Sequence, residues 1–172
     1  MSNKAFFLDR DGVINHSVII NNKPSAPRNI EEFKIIEKVE EALNIFKKKG
    51  FLNIIVTNQP DVENKSLKKE IVLEMHDIIY KKLNIDDIFT CYHNDLNNCF
   101  CRKPKPGMIH SAKDKWNIDL RKSFLVGDRW RDIDLANNLN IKNFFIDYEY
   151  NEKKPENFTY KIKNLIDAVK FL

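Results

Sequence analysis

Short apolar runs separated by helix-length segments constrain the fold of this chain more than any other feature. The runs are AFFLD at 5–9, LNIIVTN at 52–58, SFLVGD at 123–128 and KNFFID at 142–147. Each is nearly continuous in apolar residues and ends in polar ones, which is typical of strands whose two faces are both buried. The sequence therefore predicts four strands covered on both sides.

The segments between these runs have the pattern of amphipathic helices. Helices are predicted at 37–49, 66–83, 107–116, 131–139 and 159–171. In the first of them, Val39, Ala42, Leu43 and Phe46 recur at helical spacing on one face. Strands that alternate with helices predict an α/β fold, a doubly wound parallel sheet with right-handed crossovers.

Length and composition fit a single domain over residues 1–172. The net charge is only +4, and Lys and Glu are intermixed, so no basic footprint for nucleic acid stands out. No segment is apolar enough to cross a bilayer, and the first residues, MSNKAFFLDRDG, lack the pattern of a secretion signal. We expect a cytoplasmic protein with no nucleic-acid and no membrane partner.

Doubly wound sheets place their chemistry at the carboxyl ends of the strands. The polar residues at these ends are Asp9, Asp11, Thr57, Asn58 and Asp128. Asp9 and Asp11 are two residues apart and should face the same cleft, and the glycine after them frees the backbone to turn. We expect the five residues to meet in space, beside a long loop at 15–30.

Close carboxylates repel each other unless a cation separates them. If Asp128 converges with Asp9 and Asp11, the oxygen-rich cluster suits Mg²⁺, which would offset repulsion between an anionic nucleophile and a phosphate. The alternative for Asp-x-Asp is a turn or a helix cap. For GDRWRDIDLA it is a helix N-cap by Asp128, with Asp132 and Asp134 as surface charges. The position after buried strands favours the metal site.

All three cysteines of the chain lie within eleven positions, together with a histidine. Cys91, His93, Cys99 and Cys101 are ligands of the kind that Zn²⁺ prefers, on a span that one loop can wrap. Incidental buried cysteine would not cluster in this way, and the spacing differs from that of a thioredoxin-like redox pair. We predict a closed, structural zinc site in a loop at about 91–101. Three other histidines are interpreted as ordinary loop and helix positions: His16, His76 and His110.

Four motifs occur in the order found in one superfamily: LDRDGVIN, Thr57-Asn58 after an apolar strand, Lys103 in CRKPKPG, and GDRWRD. Together they resemble the haloacid dehalogenase (HAD) superfamily of phosphatases over nearly the whole chain. The resemblance implies that Asp9 is the nucleophile that forms an aspartyl-phosphate and that Asp11 is the general acid and base. Thr57 and Lys103 would hold phosphoryl oxygens.

The resemblance also implies where Mg²⁺ binds: on Asp9, on the backbone carbonyl of Asp11 and on Asp128, with Asp132 behind these ligands. The zinc loop followed by CRKPKPG resembles subfamily IIIA, which includes the D-glycero-D-manno-heptose-1,7-bisphosphate 7-phosphatases and the histidinol-phosphate phosphatases. These relatives lack a cap domain, so loops would set the specificity.

Substrate contacts are implied for Asn58, Arg102 and Arg129; the alternatives are a surface charge for Arg102 and a cap-adjacent ion pair for Arg129. Because Lys103 follows Cys101 by two residues, a zinc clip would fix the loop that delivers Arg102 and Lys103 to the phosphate. One departure concerns the substrate. Heptose enzymes usually carry Gly and Arg in the loop after the threonine motif, whereas TNQPDVENKS contains neither.

The first hypothesis is a monomeric, Mg²⁺-dependent phosphomonoesterase whose partner is a small-molecule sugar phosphate. Its first-choice reaction removes the C7 phosphate of D-glycero-D-manno-heptose 1,7-bisphosphate, and histidinol phosphate or another sugar phosphate is the second choice. A hypothesis of a different class is an inactive, zinc-stabilised binding module. The complete set of Asp9, Asp11, Lys103 and Asp128 argues against it.

Overall fold

The computed structural model describes residues 2–20 and 22–172, so Met1 and Asn21 lie outside the described residues. The strands are β1 Lys4–Leu8, β2 Val18–Ile20, β3 Lys23–Ser25, β4 Phe51–Asn58, β5 Asp87–Cys91, β6 Phe124–Gly127, β7 Lys142–Ile146 and β8 Tyr160–Ile162. The α-helices are α1 Val39–Lys48, α2 Lys69–Lys82, α3 Gly107–Trp116 and α4 Trp130–Asn138.

A parallel sheet with the order β5-β4-β1-β6-β7-β8 forms the centre of the molecule. Side chains of β1 alternate between its faces: Phe6 and Leu8 belong to one hydrophobic core, and Ala5 and Phe7 belong to the core on the other face. Because both faces are buried, the inner strands β4, β1, β6 and β7 are apolar at most positions. The predicted α/β fold with a parallel sheet is confirmed.

Helix α1 illustrates how the amphipathic segments cover the sheet. Val39, Ala42, Leu43 and Phe46 are all fully buried, and the ring of Phe46 stacks on Phe6 of β1 with centroids 3.8 Å apart. Glutamates in its first turn and lysines in its last turn complement the helix dipole. The structure confirms the helices predicted at 37–49, 66–83, 107–116 and 131–139, the last of which begins one residue earlier than predicted.

The helix predicted at 159–171 is wrong. The segment begins with β8, which adds an outer strand beside β7, and continues as a 3₁₀ helix over Leu165–Phe171. Leu165 and Ala168 are buried at a spacing of three, which is the period of a 3₁₀ helix. The apolar residues that suggested one amphipathic α-helix are therefore shared between two different elements.

Two further strand regions escaped prediction. β5 is an edge strand whose side chains are mostly half-buried, so it has no continuous apolar run. The stretch 15–30, interpreted as a loop, contains the antiparallel hairpin of β2 and β3, with Val18 opposite Ser25. Among the described residues, no helix combines the length and the apolar composition that spanning a membrane requires.

Candidate active site

The carboxyl ends of three adjacent strands meet at one edge of the sheet. β4 and β6 flank β1 in parallel register. Asp9 follows β1 directly, Thr57 and Asn58 end β4, and Asp128 follows β6. The fold thus brings together residues from segments that are far apart in the sequence, as the strand pattern indicated.

Three buried carboxylates form the centre of this site. Asp9, Asp128 and Asp132 each offer an oxygen atom, and these atoms lie within 4.8 Å of one another. Two glycines permit the close approach: a Cβ at Gly12 would lie 1.9 Å from Oδ2 of Asp128, and one at Gly127 would lie 2.1 Å from Cβ of Asp132. Asp132, expected behind the ligands, belongs to the cluster itself.

The ammonium group of Lys103 is buried among these carboxylates. Its Nζ lies 2.9 Å from Oδ1 of Asp9 and 2.6 Å from Oδ1 of Asp132. Burial alone would lower the pKa of Lys103, but the charges of Asp132 and Asp9 outweigh it and raise that pKa to about 12. The lysine therefore remains charged and can neutralise an anion at this position.

One ammonium group does not balance three carboxylates. Burial raises the pKa of Asp9 to about 7, with the charge of Asp132 acting in the same direction. Burial likewise raises the pKa of Asp128 well above its ordinary range, helped by repulsion from Asp9 and Asp132. Oδ1 of Asp128 is buried and has no hydrogen-bond partner among the described residues. Excess negative charge, oxygen donors and an unpaired carboxylate oxygen fit a divalent cation such as Mg²⁺.

Asp11 lines the same cavity but has different partners. Its Oδ1 accepts hydrogen bonds from Nη2 of Arg10 at 3.1 Å and from Nδ2 of Asn15 at 2.9 Å, and its Oδ2 accepts one from Nε2 of Gln59 at 2.8 Å. Nη1 of Arg10 lies 3.4 Å from Nε2 of His76, on α2. Asp11 is therefore held in place from behind by a buried network.

This network was missed in the sequence. Arg10 is fully buried, and its place between two aspartates was the one available signal. His76 was interpreted as an ordinary helix position, yet burial lowers its pKa to about 4, and the charge of Arg10 acts in the same direction. A neutral imidazole can accept a hydrogen bond from the guanidinium group. His16, by contrast, is exposed, and Asp134 pairs with Lys153 at 3.0 Å outside the cluster.

The two residues at the end of β4 support the site differently. Thr57 is fully buried, and its Oγ1 accepts a hydrogen bond from Gln59 at 2.9 Å. Asn58 lines the cavity, but its side-chain amide pairs with the backbone of Lys103, accepting from its N–H at 3.0 Å and donating to its carbonyl at 3.2 Å. Asn58 therefore fixes the segment that carries the lysine.

A cavity of about 140 Å³ lies over the carboxylates. Its lining residues come from the strand ends, the hairpin region and α4, and include Asp9, Asp11, Ser17, Lys103, Arg129 and Arg131. Of the two predicted arginines, Arg129 lines the cavity, whereas Arg102 lies outside this lining and pairs with Asp95 at 2.8 Å. Arg131, which was not predicted, supplies a second guanidinium group and is itself 3.3 Å from Asp95.

The cysteine cluster forms a second candidate metal site. The Sγ atoms of Cys91, Cys99 and Cys101 lie 3.1 to 3.7 Å apart, and Nδ1 of His93 is 3.3 Å from Cys101 and 3.7 Å from Cys91. Four ligands about 2.3 Å from a tetrahedral zinc ion would be separated by about 3.8 Å. The four side chains are thus gathered at almost the spacing that such an ion requires.

Comparisons with known proteins agree with this geometry. Residues 5–154 match the family model described as polynucleotide kinase 3 phosphatase. The D-glycero-alpha-D-manno-heptose-1,7-bisphosphate 7-phosphatase of Campylobacter jejuni is 34% identical over 99% of this chain and 96% of its own length. The D-glycero-beta-D-manno-heptose-1,7-bisphosphate 7-phosphatase of Helicobacter pylori (strain 26695) is 32% identical over 98% and 99%.

A solved structure has the same fold. The D,D-heptose 1,7-bisphosphate phosphatase from B. bronchiseptica, complexed with magnesium and phosphate, superposes with a TM-score of 0.82 at 22% identity, covering 98% of this chain and 97% of that one. The matches extend over nearly the full length, and the HAD motifs lie at the strand ends. The chain therefore belongs to the family of HAD-superfamily phosphatases that includes the heptose-1,7-bisphosphate 7-phosphatases.

Proposed function

We propose that this protein is a Mg²⁺-dependent phosphomonoesterase that removes the C7 phosphate of D-glycero-D-manno-heptose 1,7-bisphosphate. One observation carries the proposal: Asp9, Asp128, Asp132 and Lys103 converge from separate segments below a cavity that two arginines border. A carboxylate nucleophile beside a buried ammonium group is suited to attack on a phosphoryl group.

In the first step, a carboxylate oxygen of Asp9 attacks the phosphorus atom, and the bond between phosphorus and the sugar oxygen breaks. Asp11 gives a proton to the departing oxygen, so the sugar leaves as a neutral alcohol. In the second step, Asp11 takes a proton from water as the water oxygen attacks the aspartyl-phosphate. The bond from phosphorus to Asp9 then breaks, and inorganic phosphate is released.

The surrounding residues position the reacting groups. Lys103 would neutralise charge on the transferring phosphoryl group, and Thr57 is proposed to hold a phosphoryl oxygen beside it. Asp9, Asp128 and the backbone carbonyl of Asp11, with Asp132 beside them, would hold Mg²⁺, and its charge would offset that of the phosphoryl oxygens. Asn15, Gln59 and Arg10 hold Asp11 at the edge of the cavity.

The zinc ion proposed for Cys91, His93, Cys99 and Cys101 has a structural role. Four protein ligands leave no open position for substrate or water. Lys103 follows the last of these ligands by two residues, and its backbone is fixed on the other side by Asn58. We propose that zinc holds the start of this segment while the end of β4 holds its lysine.

The choice of sugar rests on the relatives. Curated proteins named for the α and for the β anomer of the heptose bisphosphate match the chain at similar identity. The guanidinium groups of Arg129 and Arg131 suit a substrate with a second anionic group beyond the reacting phosphate. Both groups already pair with carboxylates, Arg129 with Glu152 and Arg131 with Asp95. Histidinol phosphate has no second phosphate to offer them, and so it is the second choice.

A substrate panel with purified protein tests the proposal. Release of inorganic phosphate is measured with Mg²⁺ for both anomers of the bisphosphate, for histidinol phosphate, for simple sugar monophosphates and for a 3′-phosphorylated oligonucleotide. We expect the highest kcat/KM for one anomer of the bisphosphate. A higher value for any other substrate would overturn the heptose assignment, whereas no release from the whole panel, or release unchanged in Asp9→Asn, would favour the inactive binding module.

We further propose that the protein acts as a single-domain monomer in the cytoplasm. The cytoplasmic location is supported by the cysteine cluster, because thiols grouped around a metal site persist in a reducing compartment. The hairpin of β2 and β3, which borders the cavity with Pro24 and Ser25, would contribute to specificity in place of a cap. Light scattering of the zinc-loaded protein should give the mass of one 20.4 kDa chain.

A further inference from the structure

The segment after β7 contacts the active site with every second residue. Tyr148, Tyr150 and Glu152 follow the sheet in a stretch with neither helix nor strand, and we call residues 148–152 the tyrosine segment. The Tyr148 hydroxyl donates to the carbonyl of Gly12 at 3.0 Å, and the Tyr150 hydroxyl donates to Oδ2 of Asp128 at 2.9 Å. Glu152 accepts one bifurcated hydrogen bond from Nε of Arg129, with its two oxygens at 3.0 and 3.1 Å, and a second hydrogen bond from Nη2.

Each of these contacts falls on a different part of the catalytic apparatus. Gly12 forms the turn after the two aspartates, Asp128 belongs to the carboxylate cluster, and Arg129 lines the cavity. The chain turns between these residues, since Glu149 has a positive φ of 58° and the N–H of Glu152 donates to the carbonyl of Tyr150 at 2.8 Å. Nothing in the sequence motifs had drawn attention to this segment.

The contact between Tyr150 and Asp128 has a specific consequence for the carboxylate. Asp128 is buried, and its Oδ2 accepts the hydrogen bond from the Tyr150 hydroxyl. Its Oδ1 has no hydrogen-bond partner among the described residues. Oδ2 also packs against Gly12, where a Cβ atom would collide with it. The contacts on Oδ2 therefore fix the orientation of the carboxylate group. In this orientation Oδ1 is free to bind a cation.

We propose that Tyr150 is a positioning residue that orients Asp128 for binding of the active-site Mg²⁺. This inference rests on the proposed function, because Asp128 must be a ligand for its orientation to matter. Hydrogen-bond partners of metal ligands fix the geometry of the ligand and contribute to the affinity for the metal. A Tyr whose only role is to fill space would contribute to stability and leave that affinity unchanged.

The test is a direct measurement of metal binding in three variants. Mn²⁺, which prefers the same oxygen ligands, is titrated into the zinc-loaded protein while the signal of the free ion is followed by electron paramagnetic resonance. In Tyr150→Phe the Kd for Mn²⁺ should rise about tenfold. Tyr148→Phe, which loses a hydrogen bond to a backbone carbonyl, should change it less than about threefold, and Tyr80→Phe, on the exposed face of α2, should not change it.

Kinetics provide a second readout. The concentration of Mg²⁺ required for half-maximal activity should rise about tenfold in Tyr150→Phe, while kcat at saturating Mg²⁺ falls much less. If wild-type protein binds Mn²⁺ and Tyr150→Phe binds it equally well, this inference fails and the proposed function stands. Equal weakening in Tyr148→Phe would also overturn it, because docking of the whole tyrosine segment would then be responsible. If wild-type protein binds no Mn²⁺ at a site that Asp128→Asn removes, the proposed function fails together with the inference.

Discussion

The two candidate metal sites of this protein are built in opposite ways. The carboxylate cluster of Asp9, Asp128 and Asp132 takes its members from strand ends and from α4, is buried, and offers hard oxygen donors. The cysteine cluster takes all four members from positions 91 to 101, is partly exposed, and offers sulfur and nitrogen donors. The first forms only when separate segments have folded together, whereas the second is proposed to stabilise one loop.

This difference indicates a catalytic role for the carboxylate cluster and a structural role for the cysteine cluster. Three carboxylates held together without a full complement of positive charge oppose folding, and such strain persists where function requires it. The four members of the cysteine cluster are proposed to bind zinc, which would hold a segment that has little core of its own. Removing a carboxylate should therefore abolish activity without harming the fold, and removing a thiol should disturb the loop first.

Replacement of Asp9 by Asn is expected to have the largest effect. Loss of the nucleophile should reduce kcat by about 10³-fold or more. Because one charge leaves a crowded cluster, the free energy of unfolding without metal should stay equal or rise. Phosphate release and denaturant unfolding measure the two quantities. A variant that is inactive because it is unfolded would contradict the comparison.

Lys103 belongs to both regions, since its backbone continues the cysteine loop and its ammonium group lies between Asp9 and Asp132. Lys103→Met should reduce kcat/KM by about 10²- to 10³-fold, as expected for loss of one charge-stabilising donor. It should also cost about 3 kcal/mol of stability, because buried carboxylates lose their partner. The matched control is Lys170→Met, which removes an exposed lysine paired with Asp167; equal losses of activity in the two variants would refute a role for Lys103 in the site.

Removal of the cysteine site should have a smaller effect on chemistry. We expect about one zinc ion per chain in protein purified without chelator, and less in Cys99→Ser. The value of kcat/KM should fall about 10- to 100-fold, mainly through KM, because the segment before Lys103 loses its support. Added zinc should restore the chelated wild type, and added magnesium should not. Leu96→Ala is the control, since Leu96 is 91% exposed in the same loop.

Metal analysis decides whether this second region exists as proposed. Absence of zinc from the wild-type protein would remove the structural site. Full activity in zinc-free protein would show that the loop keeps Lys103 in place by its own contacts. Either result would leave the carboxylate cluster unaffected, because its members come from other segments.

Much of the site could be predicted because strand ends follow from local patterns. Asp9, Thr57 and Asp128 come directly after apolar runs or end them, and a parallel sheet brings such ends to one edge. Cys91 and the other members of the cysteine cluster could be recognised because they are already close together in the sequence. In the first case the residues are brought together by the alignment of parallel strands. In the second they are close because they are only a few residues apart.

The remaining residues depend on packing that no short pattern records. Arg131 lines the cavity while Arg102 points to Asp95, a choice made by the direction of α4 and by the path of the loop. Tyr150 reaches Asp128 from a segment without regular structure. The edge strand β5 was missed because half-buried edges carry weak periodicity. The segment 159–171 was predicted as one α-helix because its apolar residues are divided between β8 and a 3₁₀ helix.

The carboxylate cluster and the cysteine cluster also differ in the residues that pack around them. Beside the carboxylate cluster lies His76, whose protonation should affect the free energy of unfolding. The Arg10 side chain that holds Asp11 is itself in contact with His76, a buried imidazole on α2. Burial lowers the pKa of His76 from 6.5 to about 4, so the unfolded chain binds a proton more readily than the folded one between these values. This stabilising contribution is complete above pH 6.5 and is lost as the pH falls through the folded-state value.

The pH dependence of unfolding should therefore differ between wild type and His76→Gln, whose amide can still accept a hydrogen bond from Arg10. Between about pH 7.5 and pH 5 the wild type should lose about 2 kcal/mol more stability than the variant. Denaturant unfolding of metal-free protein at each pH measures the difference, and carboxylates common to both proteins cancel. His16→Gln, at an exposed loop position, should follow the wild type. If the free energy of unfolding depends on pH in the same way in wild type and His76→Gln, His76 can accept a proton in the folded protein. The buried network behind Asp11 would then be no more rigid than the cysteine loop.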